Sequence, residues 1–511
     1  MKTEPKPRAW PLWLLLAVFL LGSLIILPLP MLRDQGIYAY VAWNWVNDRI
    51  PYRDAFEHKG PLLYAVYAAA LTLSRGAMWG PNLADLLART AAVLFAYWSA
   101  ALVFDRRSAL VTACFTALPL FTVFNSCWWN AEAETFILPL LPLSLGLVLQ
   151  RFGSARFLAG VVAAQAVALK PTALLHALFL VFPAGDHPVG RKGSLLFIAG
   201  VLAGLAPWAI YFAAKGGISD LYAALYIFNR FHAGLAPGTN WRQALDLAGR
   251  DAGKVFGLVL IFLGAGVLAR RRRLLVLGYA LAGAAQVAVQ AKFFFYHWLV
   301  LIPPAALLAA SGLRFVEENF HRAVYYLAWL LVLVQTGLGL RFYALLQIHY
   351  QTPQYLIGVV DRDEYYARFR EPGTDFNFYA TWHAADYLRH HTNPGDKVLV
   401  FGYEPGINYL AARFAPTRFH SDYPLTFTPK SEEAKHWREL WRRLFLADLR
   451  RAPPAVIILV TGDTNAIEPV DSLTQAKAFT EFWDFFQENY QPWVTIEDFH
   501  FYRYHAHRLS D

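Results

Sequence analysis

The stretch Arg33–Tyr64, RDQGIYAYVAWNWVNDRIPYRDAFEHKGPLLY, decides how the rest of this chain is interpreted. It follows the apolar run 10–31, which is long enough to cross a bilayer because a membrane helix needs roughly 20 apolar residues. Asp34 therefore falls at the membrane surface. Further ionisable residues follow it at Asp54, Glu57, His58 and Lys59. Such groups are costly in a bilayer protein, so their presence here indicates a functional site.

The composition of the whole chain is that of a membrane protein. Of its 511 residues, 57% are hydrophobic and only 16% are charged, against roughly 25% in soluble domains. Aromatic residues make up 16%, which suits the aromatic belts found at membrane interfaces. The net charge of +9 does not indicate nucleic-acid binding, because the basic residues form short clusters between apolar runs.

Apolar runs predict about eleven transmembrane helices. They lie at 10–31, 82–104, 108–124, 134–150, 155–170, 172–184, 194–213, 253–269, 274–291, 296–312 and 323–343. The fifth and sixth are short and meet at Pro171, so they form either two crossings or one tight hairpin. The first run is expected to persist as a helix, because it is too long for a signal peptide and lacks a small-residue cleavage site.

Loop charges predict the orientation, because cytoplasmic loops are rich in Lys and Arg. With a cytoplasmic N-terminus, the compact basic clusters all fall inside; they are 105–107, 151–156, 191–192, 270–273 and 321–322. The outer segments are then 33–81, 125–133, 214–252 and everything after 344. Residues 61–75 are apolar enough to cross, but a crossing there would invert every later loop. We therefore expect an interfacial helix at 61–75.

The chain is predicted to divide into a transmembrane domain, 1–343, and an extracytoplasmic α/β domain, 344–511. Residues 33–81 form the first outer, catalytic loop of the former. Short apolar strands alternate with amphipathic helices in the latter; we expect strands at 398–401, 455–460, 493–497 and 499–504, and helices at 374–391, 431–450 and 471–489. The sequence GYEPG at 402–406 does not match a phosphate-binding loop, so no nucleotide site is predicted.

The first outer loop contains the strongest candidates for chemistry. Asp34 is suited to act as a general base on an acceptor hydroxyl, or else is a helix-end charge among lipid headgroups. Lys59 is suited to hold a lipid phosphate as a point charge. Glu57 and His58 are candidates to bind a divalent metal or to bridge to the substrate, and Asp54 belongs to the same group. The alternative is a solvated interfacial turn.

Other candidates fall on the same side of the membrane. Glu132 and Glu134 stand where the chain re-enters it, where they would line a sugar pocket beside Trp128 and Trp129 or favour a helix macrodipole. Lys170 would hold the lipid phosphate or extend to the interface. Arg230 lies in the outer segment 214–252 and His297 at the outer start of the tenth apolar run, and both are weaker candidates for substrate binding.

Three motifs carry a resemblance to a known family: DQGIYAY at 34–40, PYRD at 51–54 and HKGPLLY at 58–64. A weaker one is Tyr296-His297-Trp298, followed by Pro303-Pro304. In these the chain resembles the GT-C glycosyltransferases of the protein O-mannosyltransferase and aminoarabinose-transferase type, including their bacterial relatives. The resemblance covers about residues 10–345.

The resemblance implies a catalytic Asp34, interfacial helices roofing a cavity, and a polyprenyl-phosphate-linked sugar donor entering from the outer leaflet. It also implies inversion at the anomeric carbon. Two positions depart from the family pattern: Gln35 follows Asp34 where many relatives have Glu, and Gly60 precedes Pro61 where they have Pro. The second acid would therefore be Glu132 or Glu134, or be absent. The divalent metal stays an open possibility for the same reason.

We therefore predict a multi-pass glycosyltransferase of the inner or plasma membrane. It would move a hexose or pentose from the lipid donor to a hydroxyl of a glycan, lipid or protein. In this mechanism Lys59, helped by Lys170 or Arg230, offsets charge on the departing phosphate. A transporter or flippase for a lipid-linked glycan is the main alternative, and it predicts inverted repeats. A sensor or assembly protein is the third, and it predicts that replacing Asp34 is harmless.

Overall fold

The computed structural model describes residues 10–126, 130–150, 152–182, 190–236, 238–257, 259–269, 272–338, 340–370 and 376–505. Over these residues the chain is helical up to about residue 391, and a small sheet follows. Several residues named from the sequence lie outside the described part, namely Trp128, Trp129, Arg151, Arg270 and Arg271.

Most of the described chain consists of helices separated by short turns. Those up to residue 288 are α1 (Trp10–Ser23), α2 (Arg33–Val46), α3 (Pro61–Leu73), α4 (Trp79–Val103), α5 (Arg106–Thr122), α6 (Ala133–Val148), α7 (Gly153–Leu169), α8 (Leu174–Val181), α9 (Arg191–Ala214), α10 (Ile218–Tyr222), α11 (Asn229–His232), α12 (Trp241–Phe256), α13 (Val259–Leu268) and α14 (Arg273–Ala288). They continue with α15 (Ile302–Asn319), α16 (Arg322–Leu338), α17 (Leu340–His349), α18 (Thr352–Leu356), α19 (Arg362–Tyr366) and α20 (Phe378–His391).

Among the described residues, three helices are long and apolar enough to cross a membrane: α4, α9 and the continuous segment Phe295–Asn319, which begins as a 3-10 turn and ends as α15. Shorter apolar helices lie at Trp10–Ile26, Ala133–Val148, Gly153–Leu169, Pro171–Val181, Arg273–Ala288 and Arg322–Val332. The predicted break at Pro171 is confirmed, because α7 ends at Leu169 and a 3-10 turn begins at the proline. Proline cannot donate the backbone hydrogen bond that would continue the helix.

The first loop folds into two helices that pack on each other. The predicted helix at 61–75 is confirmed as α3; it begins at Pro61, whose missing N–H costs nothing in a first turn. The other helix, α2, begins at Arg33, so Asp34 stands in its first turn, where the helix macrodipole favours an anion. The bounds of α2 were not predicted from the sequence, because its many aromatic residues obscure the helical repeat of apolar positions.

The C-terminal segment contains the predicted small sheet. Its helices are α21 (Gly406–Ala411), α22 (Tyr423–Thr426), α23 (Glu432–Arg451), α24 (Ser472–Ala478) and α25 (Thr480–Asn489). Its strands are β1 (Val398–Phe401), β2 (Val456–Val460), β3 (Tyr490–Ile496) and β4 (Phe499–Tyr504), in the spatial order β1-β2-β4-β3. Strands β1 and β2 are parallel, and the other pairs are antiparallel. The single helix expected at 471–489 is instead two, α24 and α25, interrupted at Phe479.

Helices α2 and α21 cross at a glycine pair, which joins the first loop to the C-terminal segment. A Cβ placed on Gly36 would lie 2.9 Å from the Cα of Gly406. Beside this crossing, Arg33 forms a buried ion pair with Glu404 at 2.7 Å, and the backbone N–H of Ala415 donates to the Tyr40 hydroxyl at 2.8 Å. The C-terminal segment therefore packs directly against the helix that carries Asp34.

We expect Gly36→Ala to lower stability by about 1–3 kcal/mol, the usual cost of overpacking, because the new methyl group meets backbone that cannot rotate away. Thermal unfolding in detergent, followed by tryptophan fluorescence, measures the change. Gly249→Ala is the matched control, since Gly249 lies in α12 with open space around it. An unchanged melting temperature for Gly36→Ala would show that the crossing is not tightly packed.

Candidate active site

A cavity of about 290 Å³ lies where the first loop, turns of the later helical part and the C-terminal segment meet. Its lining includes the carboxyl groups of Asp34, Glu57 and Glu132. It also includes the basic side chains of His58, Lys59 and His232. The rest is mainly aromatic and apolar, from Leu32, Ile37, Tyr38, Phe294, Tyr296, Tyr403, Ala466 and Ile467. An enclosed site with opposite charges and aromatic walls suits a polar substrate that carries an anionic group.

Asp34 faces this cavity together with one of the two glutamates expected nearby. It is only partly buried, whereas its neighbours Arg33 and Gln35 are fully buried. The Tyr38 hydroxyl lies between the two acids, 3.1 Å from Glu132 Oε2 and 3.5 Å from Asp34 Oδ2. Two carboxyl groups and one phenol are thus gathered on one wall of the cavity.

Gln35, where many relatives have Glu, has a structural position. Its Oε1 accepts the backbone N–H of Leu32 at 2.7 Å, and its Nε2 donates to the Asn130 carbonyl at 2.6 Å. A carboxylate cannot make the second of these bonds, because it has no proton to donate. Gln35 therefore provides a hydrogen-bond acceptor for the backbone at the start of α2 and links this helix to the segment that leads into Glu132.

The basic wall of the cavity is formed by His58 and Lys59, which contact each other, and His58 also contacts Glu57. His58 Nδ1 lies 2.7 Å from Glu57 Oε1, and Lys59 Nζ lies 3.2 Å from His58 Nε2. Burial raises the pKa of Glu57, but His58 and Lys59 lower it more, to about 2. Burial lowers the pKa of Lys59, yet the carboxylates, with Asp34 foremost, raise it above its ordinary value. Lys59 therefore keeps a positive charge on the cavity wall.

The Glu57–His58 pair does not offer a prepared metal site. One ring nitrogen of His58 is engaged by Glu57 and the other by Lys59, so no imidazole lone pair points into open space. Within the ranges given above, no group of three or more His, Cys, Asp or Glu side chains is arranged to hold a metal ion.

The second glutamate, Glu134, belongs to a separate cluster. It forms an ion pair with Lys170, which also contacts Gln290, and His297 Nε2 lies 3.9 Å from Glu134 Oε1. Lys170 Nζ also lies 5.9 Å from the ring centre of Tyr296, which itself lines the cavity. The structure therefore places Glu134, Lys170 and His297 together behind the cavity wall.

Two other predicted site residues lie away from the cavity. Asp54 Oδ2 accepts the backbone N–H of Ile50 at 2.7 Å and contacts Arg53, so it closes a turn in the first loop. Arg230 forms an ion pair with Glu433 on α23. Both contacts are structural ones.

The sequence analysis missed a buried polar network that holds the segment before Glu132. Arg89 Nε lies 2.8 Å from Asp85 Oδ2, and both side chains are fully buried within α4. Arg89 also donates to the side chains of Asn125 and Asn130, while Asp85 accepts the backbone N–H of Ala131 at 2.8 Å. The available signal was an acid and an arginine four residues apart inside an apolar helix, because ionisable residues in such helices usually pair with each other or have a function.

The C-terminal segment contributes one wall of the cavity. Tyr403 lies there, next to Glu404 of the buried ion pair with Arg33, and so do residues 465–467. The GYEPG sequence at 402–406 therefore has a role that no nucleotide motif describes: one residue lines the cavity, the next is paired with Arg33, and Gly406 allows α2 to approach. Nothing local in the sequence indicated these contacts.

Behind this wall lies a group of buried acids. Asp463 accepts from Ser472 Oγ at 2.6 Å and Glu468 accepts from Thr426 Oγ1 at 2.7 Å, and Asp422 is buried beside them. Burial, and then the charge of Asp463, raise the pKa of Asp422 from 3.8 to about 7. Between about pH 4 and pH 7, Asp422 therefore keeps a proton in the folded state that it has lost in the unfolded chain.

This difference predicts a pH-dependent stability. The Asp422 contribution is fully favourable below about pH 4 and is lost as the pH rises towards about 7. Asp422→Asn should therefore unfold at a higher temperature than wild type at pH 8, by ~2 °C or more, and differ little at pH 5. Differential scanning fluorimetry at the two pH values measures this, with the exposed Asp484→Asn as control. An equal shift at both pH values would contradict the assignment.

Comparison with solved structures identifies the fold. The crystal structure of ArnT from Cupriavidus metallidurans bound to undecaprenyl phosphate matches with a TM-score of 0.63, at 13% sequence identity, over 97% of this chain and 98% of that chain. The chain has the GT-C glycosyltransferase fold. The same ArnT in the apo state matches with a TM-score of 0.62.

A second GT-C structure matches less closely. It is the archaeal oligosaccharyltransferase AglB from Archaeoglobus fulgidus, in complex with an inhibitory peptide and a dolichol-phosphate. Its TM-score is 0.50 and its identity 12%, over 89% of this chain and 70% of that one. No family model and no curated protein sequence matches the chain. The GT-C assignment thus rests on the fold, in agreement with the first-loop motifs.

Proposed function

We propose that this protein is an inverting glycosyltransferase that moves a hexose or pentose from a polyprenyl-phosphate donor to an acceptor hydroxyl. The observation that carries the proposal is that Asp34 and Lys59 line the same cavity in a chain with the GT-C fold. The titles of the matching structures name undecaprenyl phosphate for ArnT and dolichol-phosphate for AglB, and the proposed donor belongs to the same chemical class.

In the proposed reaction, the acceptor oxygen attacks the anomeric carbon as the bond from that carbon to the phosphate oxygen breaks. Asp34 takes the proton from the acceptor hydroxyl, and the lipid phosphate leaves with the bonding electron pair. Lys59 lies near the departing phosphate and offsets its charge. Glu132, held through Tyr38 near Asp34, orients the sugar or the acceptor. Attack opposite the leaving group inverts the anomeric centre.

The proposed topology has about eleven crossings, with a cytoplasmic N-terminus and the segment after 344 outside the inner or plasma membrane. Helices α2 and α3 would then lie at the outer surface, with the cavity open to a donor from the outer leaflet. The exposed apolar side chains along α9, including Leu195, Leu202 and Ile210, suit contact with lipid. In this arrangement residues 344–511 form an outer domain that covers the donor and contributes to acceptor recognition.

The test is a transfer assay with the purified protein in detergent. Radiolabelled undecaprenyl-phosphate sugars, one hexose or pentose at a time, are incubated with lipid, glycan and protein fractions of the native host. Transfer of label to one fraction is expected, and it would identify the donor and the acceptor class. Movement of intact labelled lipid across proteoliposome membranes, with no transfer, would instead support a flippase.

A further inference from the structure

Two lysines at the edge of the cavity approach the same glycine from different parts of the chain. Lys292 stands in the turn after α14, is 8% exposed, and donates from Nζ to the Gly234 carbonyl at 3.2 Å. Lys430, just before α23, places its Nζ 4.0 Å from the point that a Cβ on Gly234 would occupy. Gly234 has a φ of +106°, which favours glycine, and no other atom lies within 4 Å of that point.

No carboxylate acts on Lys292. Burial, and then the neighbouring charge of Lys430, lower the pKa of Lys292 from 10.5 to about 8. Other cations near the cavity have acids beside them: Lys59 faces Asp34, and Lys170 is paired with Glu134. Lys430 is exposed to solvent, whereas Lys292 is a buried cation that has no acid beside it among the described residues, and an anion would compensate its charge.

Lys292 and the glycine that it contacts both lie in segments that line the cavity. His232, two residues before Gly234, lines the cavity, and so does Phe294, two residues after Lys292. Arg230 in the same segment is already neutralised by Glu433. Lys292 and Lys430 thus place positive charge beside the segments that carry His232 and Phe294.

We propose that Lys292 and Lys430 form a second anion-binding subsite, which takes a phosphate group of the substrate at the edge of the cavity. This inference rests on the proposed function, in which Lys59 holds the phosphate next to the sugar. The second phosphate comes either from the donor, as the outer phosphate of a lipid diphosphate, or from a phosphorylated acceptor. Both sources present the same group to the two ammonium ions.

The experiment compares wild type with Lys292→Gln, Lys430→Gln and the double variant. Lys292→Arg retains the charge, and Lys435→Gln removes an exposed lysine on α23 as the matched control. Affinities are measured for undecaprenyl phosphate, for undecaprenyl diphosphate, and for glucose 1-phosphate in the presence of saturating undecaprenyl phosphate. Lys59→Gln is measured in parallel as the test of the first phosphate site.

We expect each glutamine variant at 292 and 430 to lose about tenfold in affinity for one probe, the size of one charge-assisted hydrogen bond. Loss confined to the diphosphate lipid assigns the subsite to the donor, and loss confined to glucose 1-phosphate assigns it to the acceptor. Lys292→Arg should restore most of the affinity. Unchanged affinities for both probes overturn the subsite. If Lys59→Gln still weakens undecaprenyl phosphate binding, the proposed function survives; if it does not, that function fails as well.

Discussion

The Asp34→Asn variant is expected to bind the lipid donor normally and to transfer sugar about 10²- to 10⁴-fold more slowly than wild type. The amide has nearly the same shape as the carboxylate but cannot accept the acceptor proton, so the loss should appear in kcat. Single-turnover transfer with preloaded donor isolates this step. Donor affinity should change little, because in the proposed mechanism the phosphate is held by Lys59, another residue of the cavity lining.

The matched control is Asp48→Asn, an exposed aspartate in the same loop. Its φ of 61° lies in the left-handed region that Asn tolerates well, so the control variant should fold normally. Full activity of Asp34→Asn would remove it as the base and would turn attention to Glu132, the other acid beside Tyr38.

The Lys59→Gln variant is expected to weaken binding of undecaprenyl phosphate by about 10- to 100-fold, the range of one hydrogen bond to a charged group. Its backbone is held independently of its ammonium group, because the Tyr52 hydroxyl donates to the Lys59 carbonyl at 2.8 Å. The variant should therefore fold normally. Titration of the detergent-solubilised protein with the labelled lipid measures the change.

Two companion variants separate charge from structure at this position. Lys59→Arg keeps the positive charge and should recover part of the affinity, although its planar head cannot match a compact ammonium ion. Lys215→Gln removes an exposed lysine at the end of α9 and should have no effect. Normal donor affinity in Lys59→Gln, with a loss only in Lys170 variants, would place the phosphate in the Glu134 cluster instead.

These two variants test different halves of one reaction. Loss of turnover in one and loss of donor affinity in the other would separate proton transfer from phosphate binding. A transporter would show no such division, because neither residue would act on a covalent bond. The same pair of measurements therefore distinguishes the enzyme from its main alternative.

Much of the fold was predictable because its signals are local. The break at Pro171, the helix starting at Pro61 and the Ser431 cap of α23, whose side chain accepts from the Ala434 N–H, each depend on a few adjacent residues. The strands β1 and β2 are short apolar runs bounded by turns, which the sequence also reveals. Exact helix ends were less predictable, since these depend on contacts between segments.

The sequence by itself determined that Asp34 and Lys59 stand in one loop after an apolar helix, because both lie in the stretch Arg33–Tyr64. Only the tertiary structure decided which other residues join them. Glu132 is the extended residue just before α6 and Glu134 stands in the first turn of that helix, and the former lines the cavity while the latter meets Lys170. Tyr403, Glu404 and Lys430 reach the site from the far end of the chain. Contacts over such separations depend on how the two parts of the chain pack, and no local pattern of residues records that packing.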